Sequence, residues 1–126
     1  MPLEAINFVK NTGCASMATM PQDTNGATSA AKIEAATYCA VDHERATGLT
    51  DIKSYIYEGY PVMLIVFLDP KFMSHDPDTE PYHWSGTQTN GLHAISAVGY
   101  DDEKQAVLIL NSAGPDWKEQ GYCWVS

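Results

Sequence analysis

His93 and Asn111 are the residues of this sequence whose types and order suit acid–base chemistry. A neutral imidazole works as a general base, or as an imidazolium beside a thiolate, only if its ring is held in one tautomer and one orientation. The side-chain carbonyl of an Asn does this by accepting the ring N–H, without adding a charge that would trap the imidazolium. The alternative interpretation is that His93 is a half-buried strand residue and that Asn111 simply ends a strand.

The residues around the pair predict a hairpin that would bring the two side chains together. Residues 92–99 alternate between two faces, as a strand does. Residues 106–110 are continuously apolar, which is typical of a strand buried on both sides. Residues 101–104 (Asp-Asp-Glu-Lys) predict a charged turn between the two strands. His93, near the start of one strand, is then close to Asn111, at the end of the other.

Short motifs in a fixed order surround the pair. They are Gly-Leu-His-Ala (91–94), Val-Gly-Tyr-Asp (98–101), Leu-Ile-Leu-Asn-Ser (108–112), Gly-x-x-Trp (114–117) and Gly-Tyr (121–122). In this order they resemble the papain-like cysteine peptidases, in which the catalytic His precedes an Ala/Val-rich strand ending in Val-Gly-Tyr and the catalytic Asn opens an Asn-Ser-Trp-Gly motif. The sequence departs from that pattern at Ala113, in place of the Trp that shields the His–Asn bond from water, and at Lys118, in place of a Gly. The second departure predicts a different course for the loop.

The resemblance implies an α+β fold, namely an antiparallel β-barrel-like half of a papain-like fold with one or two short helices. Residues 1–126 would form a single partial domain, with residues 1–30 as interdomain helix and loop and residues 31–126 as the β-rich half that carries the His and the Asn. The implied activity is peptide-bond hydrolysis by a thiol protease, with His93 as base and imidazolium partner and Asn111 as the residue that orients it. The implied substrate cleft includes Leu92, Ala94 and Trp117, and no cofactor is implied.

The three cysteines, Cys14, Cys39 and Cys123, do not supply the nucleophile that such a site requires. The family's Cys signature lies roughly 130 residues before its His, whereas 92 residues precede His93 here. In the faint echo of that signature around Cys14, Met17 stands where the nucleophile would align. We interpret Cys14 as a small buried hydrophobe and the other two as structural strand residues, and at most one intrachain disulfide could form. The Cys-bearing half would then be missing, and the chain would be inactive alone.

Two other classes of function stay open. One is a non-catalytic papain-like binding or scaffolding protein, which Ala113 and Lys118 favour. The other is an acyl transferase of the same fold, in which an amine replaces water as the acceptor from the thioester. The expected partners are a peptide or protein substrate and either the missing Cys-bearing half or a second copy of the chain, because half of such a fold exposes an apolar face.

Composition and charge bound the remaining possibilities. The net charge of −9, from 7 Lys and Arg against 16 Asp and Glu, argues against nucleic acid as a partner, because a phosphate footprint needs clustered cations. No apolar run approaches the roughly 20 residues of a membrane helix, and no signal-peptide pattern is present, so a membrane is not expected as a partner. Localisation is left open, although papain-like enzymes are often secreted or lysosomal. The loop with His75, Asp76, Asp78, Glu80 and His83 matches no zinc or calcium spacing and is interpreted as solvated, without a metal.

Periodicity and capping predict the other elements. These are a helix over 2–12, a strand over 32–41, a helix from an N-cap at Thr50 to Tyr57, a strand over 62–68 buried on both faces, and a last strand over 121–125. Residues 69–90 are predicted to be irregular, because three prolines interrupt them.

Overall fold

The predicted hairpin lies at the centre of a four-stranded antiparallel sheet with strand order β1-β2-β3-β4. Its strands are β1 (Val62–Phe67), β2 (Leu92–Asp101), β3 (Ala106–Leu110) and β4 (Tyr122–Val125). The computed structural model describes residues 2–21, 26–74, 77, 80–84, 86 and 91–126. Within these residues β1 and β4 do not pair with each other, so the sheet is open. The α+β class and the antiparallel sheet are confirmed, but the sheet does not close into a barrel.

The charged turn between β2 and β3 is held by its first residue. Asp101 accepts the backbone N–H of Glu103 at 2.9 Å and that of Lys104 at 3.0 Å, and its carboxylate also accepts from the Lys104 ammonium at 2.7 Å. The Lys104 side chain, followed by the backbone N–H groups, holds the pKa of the Asp101 carboxyl below its ordinary value. The turn fixes the register of the hairpin, in which Ser96 lies opposite Leu110. The predicted turn is confirmed.

One face of the sheet carries the hydrophobic core. Buried together there are Phe72, Tyr82, Ile95, Ile109, Trp117 and Cys123. Burial along β1 alternates, because Met63, Ile65 and Phe67 are 45%, 43% and 48% exposed while the residues between them are half-buried. The prediction that residues 62–68 are buried on both faces is therefore wrong for this chain. An apolar run does not reveal whether both faces of its sheet are covered, and the exposed residues of β1 lie on the same face as the exposed Leu92 and Ala94 of β2. The burial predicted for residues 106–110 holds only at Ala106 and Ile109, because Val107 and Leu108 are half-buried and Leu110 is 39% exposed.

Four helices accompany the sheet in the described residues, where one or two were predicted. They are α1 (Pro2–Asn11), α2 (Ser29–Ala35), α3 (Leu49–Tyr57) and α4 (Pro70–Met73). None of the helices in these parts of the chain is long and apolar enough to cross a membrane.

The structure confirms the predicted helix that becomes α3 but not its predicted cap. The helix begins at Leu49 and is preceded by Gly48, which offers no side chain, so Thr50 lies inside the first turn rather than at the N-cap. The carboxylate of Asp51 instead accepts the backbone N–H of Thr47 at 2.9 Å and its hydroxyl at 2.6 Å. Both bonds lower the pKa of the Asp51 carboxyl, and the bond from the Thr47 hydroxyl has the larger effect.

The short helix α4 lies inside the segment that was predicted to be irregular. Asp69 is its N-cap and accepts the backbone N–H of Phe72 at 2.8 Å, and Pro70 occupies the first turn. An Asp followed directly by Pro is a recognised start signal for a helix. The four-residue length hides α4 from any argument based on periodicity. Both Asp69 and Phe72 are buried, so α4 belongs to the core.

The chain divides into two compact units, Met1–Arg45 with α1 and α2, and Ala46–Ser126 with the sheet, α3 and α4. In the first unit the predicted helix α1 is confirmed, but the strand predicted over 32–41 is wrong, because residues 29–35 are helical. Alanines at positions 30, 31, 35 and 36 favour a helix. Thr28 caps that helix by accepting the N–H of Ala31 at 3.1 Å. The assignment of residues 1–30 to an interdomain segment and of residues 31–126 to a β-rich half refers to a larger fold and stays a prediction.

Candidate active site

His93 and Asn111 are hydrogen-bonded to each other. The Nε2 of His93, on β2, lies 2.8 Å from the Oδ1 of Asn111, which directly follows β3. The same Oδ1 accepts the backbone N–H of Ser112 at 2.8 Å, and the backbone N–H of Asn111 donates to the carbonyl of Gly121 at 2.9 Å. Asn111 is 9% exposed, so both its backbone and its side chain are held in place away from solvent. The hairpin therefore brings the predicted pair together.

The second bond to Asn111 fixes the tautomer of the imidazole. A backbone N–H can only donate, so the Asn111 atom that the Ser112 N–H reaches is the carbonyl oxygen and not the amide nitrogen. An oxygen can only accept from the His93 ring, so Nε2 carries the proton of the neutral imidazole. The lone pair is then on Nδ1, which leaves that nitrogen as the one that can take up a proton. This is the arrangement that a general base requires.

Phe72 supports the imidazole from one side. Its ring meets the His93 ring edge to face, with centroids 6.5 Å apart and planes at 68°. Trp117 packs on Phe72 with ring centroids 5.3 Å apart, and the indole Nε1–H donates to the backbone carbonyl of Phe72 at 3.3 Å. Phe72 was missed at the sequence level, because its segment was predicted to be irregular. The Asp69-Pro70 pair that starts α4 is the signal that could have found it.

The two departures from the family motifs differ in their structural effect. Ala113 is exposed and carries no ring that could cover the His–Asn bond. Lys118 has a φ of 48°, a conformation that Gly adopts readily, so the loop keeps a backbone suited to glycine although the residue is not one. The Lys118 ammonium donates to the carbonyl of Lys71 at 3.1 Å and lies 6.0 Å from the centre of the Trp117 ring. The side chain is thus used to join the loop to α4.

The three residues assigned to the substrate cleft lie in different places. Leu92, which is 65% exposed, and Ala94 leave β2 on the opposite face from His93, since successive side chains of a strand alternate. Trp117 is 2% exposed and packs on Phe72, whose ring in turn contacts the imidazole. The packing of Trp117 near the site matches the expectation for it. A place in the cleft stays a prediction for all three residues.

Two of the three cysteines lie in surroundings that differ from those predicted from the sequence. Cys123 is in β4 and buried, as expected for a structural strand residue. Cys14 is exposed rather than buried, and Cys39 is exposed and lies outside any strand, so both of those interpretations were wrong. Cys123 lies opposite Ile109, which lies opposite Ala97. Two strand spacings and four residues of rise then separate Cys123 from His93 by roughly 16 Å, too far for direct proton transfer.

The segment suggested for a metal lies partly outside the described residues, which do not include His75, Asp76 and Asp78. In the part of the chain that is described, no three His, Cys, Asp or Glu side chains are grouped so that they could hold a metal ion. The ring Nδ1 of His83 lies 3.2 Å from the hydroxyl oxygen of Ser126.

The chain is similar in sequence to a peptidase family and to proteins whose names relate them to peptidases. The model of the Peptidase_C39 like family matches residues 4–125. The Cathepsin B-like CP1 of Giardia intestinalis is 40% identical over 76 residues, which are 56% of this chain and 24% of that protein. An uncharacterized peptidase C1-like protein of Acanthamoeba polyphaga mimivirus is 28% identical over 92 residues, 68% of this chain and 30% of that protein. The chain thus spans less than a third of the length of these two relatives.

Two solved structures have the same fold over 99% of this chain. Xylellain, a cysteine protease from Xylella fastidiosa, superposes with a TM-score of 0.79 at 22% identity, and the match covers 54% of that protein. A cysteine protease of Carica candamarcensis superposes with a TM-score of 0.64 at 21% identity, and the match covers 58% of it. The open sheet and its short helices therefore correspond to a little more than half of each of these proteases.

Proposed function

Since the chain belongs to the Peptidase_C39 like family, within the papain-like cysteine peptidases, we propose that it carries the His–Asn part of a Cys-His-Asn site for peptide-bond hydrolysis. The observation that carries this proposal is the 2.8 Å contact between His93 Nε2 and Asn111 Oδ1, with the oxygen identified by the Ser112 N–H. A general base held in one tautomer by an uncharged partner is what thiol activation requires.

Each residue of the pair has a separate role in the proposed hydrolysis. The Nδ1 of His93 takes the proton of a cysteine thiol, and the resulting imidazolium stays beside the thiolate. After the thiolate attacks the peptide carbonyl, the same nitrogen returns a proton to the leaving amine. Asn111 keeps the ring oriented throughout, and the buried ring of Phe72 excludes water from one side of the imidazole.

The nucleophile is proposed to come from a Cys-bearing helical half of the enzyme. Two observations support this: Cys123 lies roughly 16 Å from His93 by strand register, and the matched proteases extend well beyond the portion that corresponds to this chain. On this proposal the 126 residues alone do not hydrolyse peptides. The substrate is a peptide or protein, and the second partner is that helical half, with a second copy of the chain as the alternative.

The test compares the purified chain alone with the chain mixed with the helical half encoded by its own gene. Both are assayed on a general fluorogenic peptide, with and without iodoacetamide. The expected result is cleavage by the mixture only, blocked by iodoacetamide and abolished by His93→Ala. Cleavage by the chain alone would overturn the proposed source of the nucleophile, and Ser variants of Cys14, Cys39 and Cys123 would then identify the thiol.

A non-catalytic binding protein is the second candidate, because exposed Ala113 leaves the His–Asn bond without the aromatic cover that the family motif provides. If the mixture folds and associates but does not cleave the peptide, this candidate is favoured over hydrolysis. Product analysis with an added amine separates hydrolysis from acyl transfer, since a transferase would yield the amide of that amine in place of the free acid.

A further inference from the structure

Cys14 and Cys39 lie on two backbone segments that contact each other in the unit with α1 and α2. The backbone N–H of Cys14 donates to the carbonyl of Tyr38, the residue before Cys39, at 3.2 Å. The sulfur of Cys39 lies against the residue before Cys14, because a Cβ built on Gly13 would be only 3.1 Å from Cys39 Sγ. Cys14 thus bonds to the residue before Cys39, and Cys39 lies against the residue before Cys14.

Backbone contacts hold the two segments together without using the sulfur atoms. Gly13 has a φ of +87°, and a Cβ at this position would come within 1.7 Å of the carbonyl oxygen of Ala35, so only glycine permits the approach. On the second segment, the backbone N–H of Ala40 donates to the carbonyl of Val9, near the end of α1, at 3.4 Å. The spacing of the two cysteines is therefore set by the fold of this unit.

We propose that Cys14 and Cys39 form an intrachain disulfide, a redox site that the proposed hydrolysis does not use. A disulfide requires Cα atoms about 4.4–6.8 Å apart, a separation typical of neighbours across backbone segments joined by hydrogen bonds. The reduced sulfurs make only long contacts: Cys14 Sγ is 3.6 Å from the carbonyl oxygen of Ala15, and Cys39 Sγ is 3.7 Å from that of Ala36. Such contacts contribute little to stability, so rotating both side chains toward each other costs little free energy.

Solvent exposure selects this pair from the three cysteines. Cys14 and Cys39 are exposed, so a dissolved oxidant reaches both of them. Cys123 is 4% exposed, and its sulfur lies 3.3 Å from the carbonyl oxygen of Trp124. Disulfide formation is therefore expected to leave Cys123 as a thiol.

The oxidant is a low-molecular-weight disulfide such as oxidised glutathione. The thiolate of one cysteine attacks a sulfur of oxidised glutathione, which forms a mixed disulfide and releases one glutathione thiolate. The thiolate of the other cysteine then attacks the protein-side sulfur, which forms the Cys14–Cys39 bond and releases the second glutathione. In total the two protein thiols lose two electrons and two protons, and oxidised glutathione becomes two molecules of the reduced form.

The disulfide would close a loop of about 25 residues that contains α2. A covalent closure of this size restricts the unfolded chain more than the folded one. Hydrogen exchange of the α1 and α2 amides that open with the whole unit is therefore expected to slow by about 100-fold on oxidation.

The experiment equilibrates the folded chain with glutathione buffers that range from fully reduced to fully oxidised. Free thiols are trapped with N-ethylmaleimide without denaturant, and proteolytic peptides are identified by mass spectrometry. The expected result is one peptide pair joined through Cys14 and Cys39, with no trapping of Cys123 until the chain is denatured. Reductant is expected to return both thiols and the faster hydrogen exchange.

Serine variants provide matched controls. Cys14→Ser and Cys39→Ser are each expected to remove the joined peptides and the slow exchange, whereas Cys123→Ser is expected to retain both. Labelling of the parent chain tests the proposal even if a variant fails to fold. The proposal is overturned if oxidised glutathione leaves only separate glutathione adducts on Cys14 and Cys39, or joins them between different chains.

Discussion

The contact between His93 and Asn111 predicts a measurable change of tautomer in the Asn111→Ala variant. In the parent chain, Oδ1 of Asn111 lies 2.8 Å from the ring Nε2 and accepts the backbone N–H of Ser112 at 2.8 Å. The variant has no acceptor at this place, so the neutral imidazole loses the bond that favours a proton on Nε2 over one on Nδ1. The base that is proposed to activate the thiol would then be protonated at the wrong nitrogen in a larger fraction of molecules.

The size of this change follows from the energy of one hydrogen bond. A neutral hydrogen bond contributes about 1 kcal/mol net, and 1.4 kcal/mol corresponds to roughly a tenfold change in an equilibrium constant. The ratio of the Nε2–H to the Nδ1–H tautomer of His93 is therefore expected to fall about fivefold. Asn111 is only 9% exposed, and the variant also removes the acceptor of the Ser112 N–H. The free energy of unfolding is expected to fall by about 1–3 kcal/mol.

Nitrogen–proton correlation NMR of the imidazole, at a pH where the ring is neutral, measures the tautomer ratio directly. Ser112→Ala is the matched control, because Ser112 donates through its backbone N–H, which alanine keeps. This control is expected to keep the ratio of the parent chain. An unchanged ratio in Asn111→Ala, or the same change in both variants, would refute the assigned hydrogen-bond geometry.

Three further predictions concern backbone conformation and charge. Gly13→Ala is expected to lower the free energy of unfolding by about 3 kcal/mol or more, because the added Cβ would overlap a backbone oxygen. Gly59→Ala, at a φ of +92° with open space around it, should lower it by only about 1–2 kcal/mol. Denaturant titrations of the two variants measure both values. Because the pKa of Asp101 is lowered from its ordinary 3.8, its stabilisation of the turn is present above that pH and is lost as pH falls through the lowered pKa. Asp101→Asn should therefore abolish the loss of hydrogen-exchange protection that acid causes in the turn of the parent chain. Lys118→Gly should lower the free energy of unfolding by about 1 kcal/mol, because the loss of a charged hydrogen bond outweighs the relief of a positive φ. Gln120→Gly is the control: it relieves a φ of 56° at an exposed position and should be neutral or stabilising. Equal effects of the two variants in thermal unfolding would contradict this prediction.

The geometry of the central pair could be predicted from the sequence because every step of it is local. Alternation in β2, an apolar β3 and a charged turn that begins with Asp101 define a hairpin, and a hairpin fixes which residues face each other. Asn111 follows β3 directly, so its position needs no information from distant parts of the chain. The exposure of alternate residues in β1 could not be predicted in this way, since it depends on whether other parts of the chain cover that face of the sheet.

The errors in the first unit have a different physical cause. Residues 32–41 contain an alternation of apolar side chains and also a group of alanines, so the same stretch suits a strand and a helix. The side-chain cap from Thr28 and the propensity of alanine favour the helix that forms. The proximity of Cys14 to Cys39 follows from the contact of Gly13 with the end of that helix, which spacing alone does not reveal.

The support of His93 by α4 bears on the choice between an active and a non-catalytic protein. The loop after Asn111 donates two hydrogen bonds to consecutive carbonyls of α4, from the Lys118 ammonium to Lys71 and from the Trp117 indole to Phe72. Both bonds hold the segment from which the Phe72 ring meets the imidazole. The lysine that departs from the family motif thus helps to fix a residue in contact with His93. A chain that had lost its catalytic function would not require a base with a defined tautomer and a ring held against it. This geometry therefore favours the hydrolytic proposal, in spite of the missing aromatic side chain at Ala113.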